Sequence, residues 1–145
     1  MIFINTILDT KFFSRIPLEL TKKRKNHSMK KQKYIYWIST ILVFGEFIIA
    51  GIWYFLYYQD LVEYFNRYGY PTYLIYPLGI VKIVGSIVIL YNKNKFLKEL
   101  AYAGFFFNLI LAFFAHYMVS EFDPFPTMSL ILLLISYFTG KKVRP

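Results

Sequence analysis

Hydrophobic and polar positions divide the chain into four long apolar segments joined by short polar connections. The four segments cover approximately residues 34–57, 73–91, 97–119 and 125–138. A transmembrane helix needs roughly 20 apolar residues, with a range of about 17–25. The first three segments meet this length. The fourth is shorter, but Pro124 and Pro126 are suited to the first turn of a helix. The pattern predicts an all-α protein, an integral membrane four-helix bundle.

The distribution of charge within these segments argues against a water-soluble bundle with long buried helices. Soluble helices carry a polar stripe at helical spacing, but Ile41 to Leu56 holds one charged residue, Glu46, and Ser129 to Phe138 holds none. Composition agrees, because 57% of the residues are hydrophobic and 22% are aromatic, against about 45–50% apolar in soluble domains. The absence of cysteine excludes disulfides, thiolate metal sites and thiol redox chemistry.

Charges in the connections predict the orientation of the helices. The connections at 58–72 and 120–124 carry Asp60, Glu63, Glu121 and Asp123 with a single arginine. The connection at 92–96 and the stretch after residue 139 are basic. Basic residues mark cytoplasmic segments, so we expect both termini in the cytoplasm. The formal charge of +9 is therefore a topology signal, and it does not indicate a nucleic-acid partner.

The first 33 residues differ from the rest and predict a basic cytoplasmic tail. Nine basic residues lie in this stretch. From Met29 the chain reads Met-Lys-Lys-Gln-Lys and then becomes apolar, a common beginning for a bacterial membrane protein. Residues 1–28 are therefore either a disordered tail or a segment upstream of the true start. The transmembrane domain is expected at 34–139 and a second basic cytoplasmic tail at 140–145.

Four polar residues at membrane depth form a candidate site: Glu46, Lys82, Asn108 and His116. Charges at this depth are costly and usually face the bundle interior. At about 1.5 Å rise per residue, Glu46 and Lys82 lie roughly 18 Å and 13 Å from the cytoplasmic ends of their helices. This difference is within side-chain reach and permits an ion pair. Asn108 lies at about the same depth as Lys82. His116 lies on the same helix face as Asn108, near the outer end of that helix.

Two interpretations of these polar residues stay open. One is a site inside the bundle that binds a head group, a quinone ring or a proton. The other is a structural ion pair with hydrogen-bonding neighbours, in which His116 is a solvated or capping residue. Small residues near the polar positions are predicted to let neighbouring helices approach closely; these are Gly79, Gly85, Gly104 and Ala112.

No catalytic constellation is recognisable in the sequence. There is no phosphate-binding glycine loop and no serine in a nucleophile elbow. His27 and His116, the two histidines, are far apart and cannot by themselves form a haem or metal site. The sequence therefore leaves open whether the protein is an enzyme and predicts no metal.

The chain resembles the DoxX-like family of small four-helix bacterial membrane proteins over about residues 29–138. The resemblance is carried by Lys30 to Thr40, by the Tyr68-Gly69-Tyr70-Pro71 turn and by Leu78 to Gly85. Its most specific part is Lys98 to Ile110 (KELAYAGFFFNLI), followed by Ala115-His116. Relatives often have Asp where this chain has Asn108, a departure that weakens a proton-transfer role.

This resemblance implies the four-helix fold, a bacterial cytoplasmic membrane location and a link to quinone-dependent redox complexes. We therefore expect an accessory subunit of such a complex, with a quinone as candidate cofactor and redox subunits as partners. Two alternatives remain. One is a small transporter or permease component that works as a homo-oligomer, and the other is a membrane assembly factor.

Overall fold

The computed structural model describes the backbone of residues 3–120 and 123–144. Side chains of the first part of this range are described only for Leu20, Arg24 and residues from His27 onward. The regular elements in the described ranges are all helical: α1 (Phe3–Leu56), α2 (Tyr58–Arg67), a 3-10 turn (Thr72–Leu74), α3 (Ile75–Tyr91), α4 (Lys95–Met118) and α5 (Phe125–Val143).

The described parts of the two basic tails are largely helical. The backbone is helical from Phe3 into the first apolar segment, so the described part of the predicted N-terminal tail and the first transmembrane segment form one 54-residue helix. At the other end, α5 runs to Val143 and includes Lys141 and Lys142 in its last turn. Cations stabilise that turn because the carboxyl end of a helix carries partial negative charge.

Helix α2 is an element that the sequence pattern did not predict, because the segment 58–72 reads as a polar loop. It places Asp60 in its first turn and Arg67 in its last, which suits the helix dipole at both ends. Phe65 is its buried residue and contacts the rings of Tyr54 and Tyr70. Gly69, at φ 73°, follows the helix and lets the chain turn into the 3-10 turn.

Asparagine and aspartate residues lie at the ends of the later helices. Asn92 adopts the left-handed conformation at φ 52° and terminates α3. Two residues later, Asn94 Oδ1 accepts hydrogen bonds from the N–H groups of Phe96 and Leu97 and begins α4. At α5, the N–H of Phe125 donates to Asp123 Oδ1 at 2.9 Å. The connection between α3 and α4 is therefore a short turn between neighbouring antiparallel helices.

The four long helices pack as a ring in which each contacts two others: α1 with α3 and α5, and α4 with α3 and α5. The diagonal between α1 and α4 is filled by aromatic rings. Phe47 and Phe105 stack at 4.3 Å between centroids, and Phe44 contacts Tyr102 and Phe105. The buried core consists of Val43, Phe44, Phe47, Ile89, Tyr102, Phe105, Leu109 and Leu133.

Outside this core, the helices are covered with large apolar side chains that are exposed, including Ile41, Ile49, Val84, Leu111 and Phe138. Such a surface suits lipid contact. Among the described residues, three helical segments are long and apolar enough to cross a membrane: His27–Leu56, Thr72–Tyr91 and Lys95–Met118. Helix α5 is not among them, because Pro126 and the two lysines of its last turn lower the mean hydropathy of a short apolar stretch.

Candidate functional site

Lys82 is half-buried and is held by a tyrosine of α1. Its Nζ donates to the Tyr54 hydroxyl at 3.1 Å and lies 4.2 Å from the centroid of the same ring. A cation above an aromatic face is attracted by the ring quadrupole. Gly79, one turn earlier on α3, makes this approach possible, since a Cβ there would lie 3.0 Å from Tyr54 Cβ and 3.3 Å from the Gly51 carbonyl oxygen.

Glu46 contacts a different helix. Both of its carboxylate oxygens lie 2.8 Å from the Ser129 hydroxyl of α5, and Ser129 is 2% exposed. A single hydroxyl proton can serve only one of the two oxygens well at a time. Glu46 and Lys82 are both described, and no ion pair joins them. Helical rise predicts compatible depths for the two residues, but it does not determine which neighbouring helix each side chain faces.

Lys82 and Asn108 line a common cleft between α3 and α4. The cleft has a volume of about 420 Å³, and its remaining walls are almost entirely apolar. Gly85 lies where the helices approach, because an added Cβ would meet the Phe105 ring at 3.0 Å. A Cβ added at Gly104 would have no atom within 4 Å. Gly104 therefore leaves the cleft unfilled and does not bring a helix close.

Glu46 lines a separate groove along α1, about 490 Å³ in volume, together with Leu42, Ile49, Ala50, Trp53 and Tyr54. Tyr54 connects this groove with Lys82 through its hydroxyl. The carboxylate and the ammonium thus lie on two different surfaces of the bundle. The structure brings Lys82 and Asn108 together and separates both from the Glu46 carboxylate.

His116 belongs to a third group at the outer end of α4. Its Nδ1 lies 3.3 Å from the Tyr68 hydroxyl, and its Nε2 lies 3.4 Å from Asp123 Oδ2. The imidazole is partly buried, at 23% side-chain exposure. It therefore links α4 to the turn after α2 and to the residue before Pro124. Ala112, one turn below His116, is half-buried on α4.

Two polar groups at the opposite end of the bundle were missed by sequence reasoning. The Ser136 hydroxyl of α5 is fully buried and lies 2.6 Å from Thr40 Oγ1 and 2.9 Å from the Tyr102 hydroxyl. Small hydroxyl residues on apolar helices are the available signal, because they commonly hydrogen-bond across membrane helices. The sequence does not show which of them face one another.

Arg144 forms the second of these groups and contacts three helices just after α5 ends. Its guanidinium donates to the Leu90 carbonyl at 3.1 Å, at the last turn of α3, and lies 5.4 Å from the Trp37 ring centroid. Its own carbonyl accepts a hydrogen bond from Lys98 Nζ at 3.0 Å. Arginine is well suited to the unpaired carbonyls at the end of a helix. This contact connects α1, α3 and α4 at one end of the bundle.

The described residues contain no group of His, Asp and Glu side chains that could hold a metal ion. The α3–α4 cleft is the place where an apolar molecule with a hydrogen-bonding head could be held, because two polar side chains enter an otherwise apolar wall.

Comparison with protein families gives a match. The profile of the DoxX-like family matches residues 38–139, which is well over half of the chain; the match includes the second part of α1, all of α3 and α4, and most of α5. Neither the curated proteins nor the solved structures contain a match. The segment before residue 38 lies outside the matched region. The apolar helices identify a membrane protein, and the matched region identifies its family: the chain belongs to the DoxX-like family.

Proposed function

We propose that the protein is an accessory subunit of a quinone-linked redox complex and that the α3–α4 cleft binds the quinone head. In this proposal all four long helices cross the bacterial cytoplasmic membrane, with both termini in the cytoplasm. The observation that carries it is that Lys82 and Asn108 line one otherwise apolar cleft.

Both side chains have hydrogen-bonding capacity left for a ligand. The Lys82 ammonium has three N–H donors, and Tyr54 accepts one of them. Asn108 is half-buried, and its amide has no hydrogen-bond partner among the described residues. A quinone carries two carbonyl oxygens that accept hydrogen bonds. The donor set therefore fits a quinone ring.

Depth favours a quinone over a phospholipid head. Lys82 lies roughly 13 Å from the end of α3 at about 1.5 Å per residue, and half of the hydrocarbon core is about 15 Å. A charged phospholipid head would lose its hydration at the bilayer centre. A neutral quinone ring does not carry that cost, and its apolar tail matches the walls of the cleft.

A bound quinone supplies the electron-carrying chemistry. The chain supplies position and charge. Lys82 places a positive charge beside an accepting oxygen and stabilises negative charge that develops there. Tyr54 fixes the ammonium through its hydroxyl and its ring face. Asn108 donates a second hydrogen bond and, as an amide, transfers no proton at ordinary pH.

The test is a titration of the detergent-solubilised full chain with a quinone analogue. Lys82→Met should weaken binding by about 10- to 100-fold, the equivalent of a charge-assisted hydrogen bond of about 1.5–3 kcal/mol. Lys93→Met is the matched control, because Lys93 also lies over a tyrosine ring but outside the cleft. Gly104→Leu should abolish binding, since the open space beside Gly104 would be filled.

Equal affinity of the wild type, Lys82→Met and Gly104→Leu would refute a quinone site in this cleft, as would absence of binding by all of them. The transporter alternative requires a polar path, and Glu46 and Lys82 line separate surfaces. The geometry therefore favours a ligand cleft over a transporter component. It gives no specific support to an assembly factor.

A further inference from the structure

A second cleft lies on the other side of α4, between α4 and α5. It has a volume of about 250 Å³, and its walls are apolar apart from one end. Ala103 opens onto this cleft, and its neighbour Gly104 opens onto the α3–α4 cleft. The two clefts are therefore separate and are divided by α4.

One tyrosine holds a negative and a positive charge at the polar end of this second cleft. The Tyr137 hydroxyl donates to Glu99 Oε2 at 2.8 Å. The Lys141 ammonium lies 4.3 Å from the centroid of the Tyr137 ring. Glu99 and Lys141 are both exposed, so each charge has capacity for a further partner. The rim therefore presents an acceptor and a cation side by side.

The position of this rim matches the level of lipid head groups. Glu99 lies in the second turn of α4, and Lys141 lies in the last turn of α5. From there the cleft runs to Phe107 and Leu133, which is about eight residues or roughly 12 Å along the helices. A polar rim at the interface followed by an apolar cleft in the hydrocarbon core is the layout of a phospholipid.

We propose that this cleft binds a diacyl phospholipid with a primary ammonium head, of the phosphatidylethanolamine type, from the leaflet at this end of the bundle. One acyl chain lies between Phe107 and Leu133, Lys141 binds the phosphate, and Glu99 accepts N–H donation from the ammonium. A phosphatidylglycerol head offers nothing cationic to Glu99. A phosphatidylcholine head has no N–H donor. Both should therefore bind less tightly.

The test measures lipid retention by native mass spectrometry of the full chain. The protein is titrated with an equimolar mixture of dioleoyl phosphatidylethanolamine, phosphatidylcholine and phosphatidylglycerol. The wild type should retain phosphatidylethanolamine several-fold more than either other lipid. Glu99→Gln should reduce this preference over phosphatidylcholine to about one. Lys141→Gln should lower the retention of all three lipids, while the matched control Lys142→Gln should leave it unchanged.

Ala103→Leu provides a second and independent variant, because a larger side chain would fill the cleft without altering the charged rim. It should abolish retention, whereas Gly104→Leu, which fills the other cleft, should not. Equal retention of the three lipids by the wild type would overturn the proposal. So would an unchanged preference in Glu99→Gln, or equal effects of Ala103→Leu and Gly104→Leu.

Discussion

Replacing Ser136 by alanine should destabilise the bundle more than replacing a buried serine of α1 that hydrogen-bonds only within its own helix. Ser136 is fully buried, and its hydroxyl joins Thr40 of α1 to Tyr102 of α4. Three helices therefore meet at one oxygen atom. The substitution removes that oxygen and leaves the hydroxyls of Thr40 and Tyr102 without their shared partner.

The expected loss of stability depends on whether each of these two hydroxyls finds another hydrogen-bond partner. Thr40 lies within a helix and can turn its hydroxyl to the carbonyl one turn before it, so its loss is small. Tyr102 is 6% exposed, and its hydroxyl cannot turn to a carbonyl of its own helix, because it lies at the end of a rigid ring. A buried hydroxyl without a partner costs about 1–3 kcal/mol, and interhelical hydrogen bonds in membranes contribute about 0.6 on average and up to about 1.7 kcal/mol. We expect a loss of about 1–2 kcal/mol.

Reversible unfolding in mixed detergent micelles measures this loss. Ser39→Ala is the control, because Ser39 is also buried but donates only to the carbonyls of Ile35 and Tyr36 in its own helix. It should cost less than about 0.5 kcal/mol. A double-mutant cycle with Tyr102→Phe should show a coupling of about 1 kcal/mol with Ser136→Ala. Equal losses for the two serine variants, or a coupling of zero, would refute the reasoning.

Two further predictions concern packing and orientation. Gly79→Ala should destabilise the protein by about 1–3 kcal/mol, because its Cβ would lie 3.0 Å from Tyr54 Cβ. Gly45→Ala, whose Cβ would have nothing within 4 Å, should stabilise it by about 0.5–1 kcal/mol. Unfolding in detergent compares the two variants, and equal effects would contradict close packing at Gly79. Because the chain has no cysteine, single-cysteine variants report orientation directly. A membrane-impermeant maleimide should label Asn66→Cys on intact cells and Lys142→Cys only after lysis, and labelling of both on intact cells would contradict a cytoplasmic C-terminus.

The long helices were accessible from the sequence because hydrophobic length and helix-ending residues are local properties. The apolar segments at 73–91 and 97–119 coincide closely with the 3-10 turn plus α3 and with α4. Helix α2 was not accessible in this way. Half of its ten residues are charged or amide side chains, and it is stabilised by burial of Phe65 against Tyr54 of α1 and Tyr70 of the following turn. A hydropathy pattern does not show these contacts between neighbouring elements.

The candidate site was predictable in depth but not in direction. Helical rise gave the levels of Glu46 and Lys82, since it depends only on residue number. The rotation of each helix about its axis depends on packing. Gly51 and Gly79 bring α1 and α3 together so that Tyr54 reaches Lys82, and the Glu46 carboxylate is left to Ser129 of α5. The predicted Glu46–Lys82 ion pair is compatible with the distance along the helix axes, but in the structure each of the two residues makes a separate contact.

The contacts of Arg144 have a consequence for biogenesis. During synthesis α1, α3 and α4 emerge and can enter the membrane while the Leu90 carbonyl and the Lys98 ammonium still lack the partner that they have in the finished fold. Arg144, which contacts these three helices, leaves the ribosome only after α5 has been synthesised. The packing at this end of the bundle can therefore be completed only after Arg144 has been synthesised. Until that point, the contacts of Arg144 cannot restrict the packing of the first three long helices.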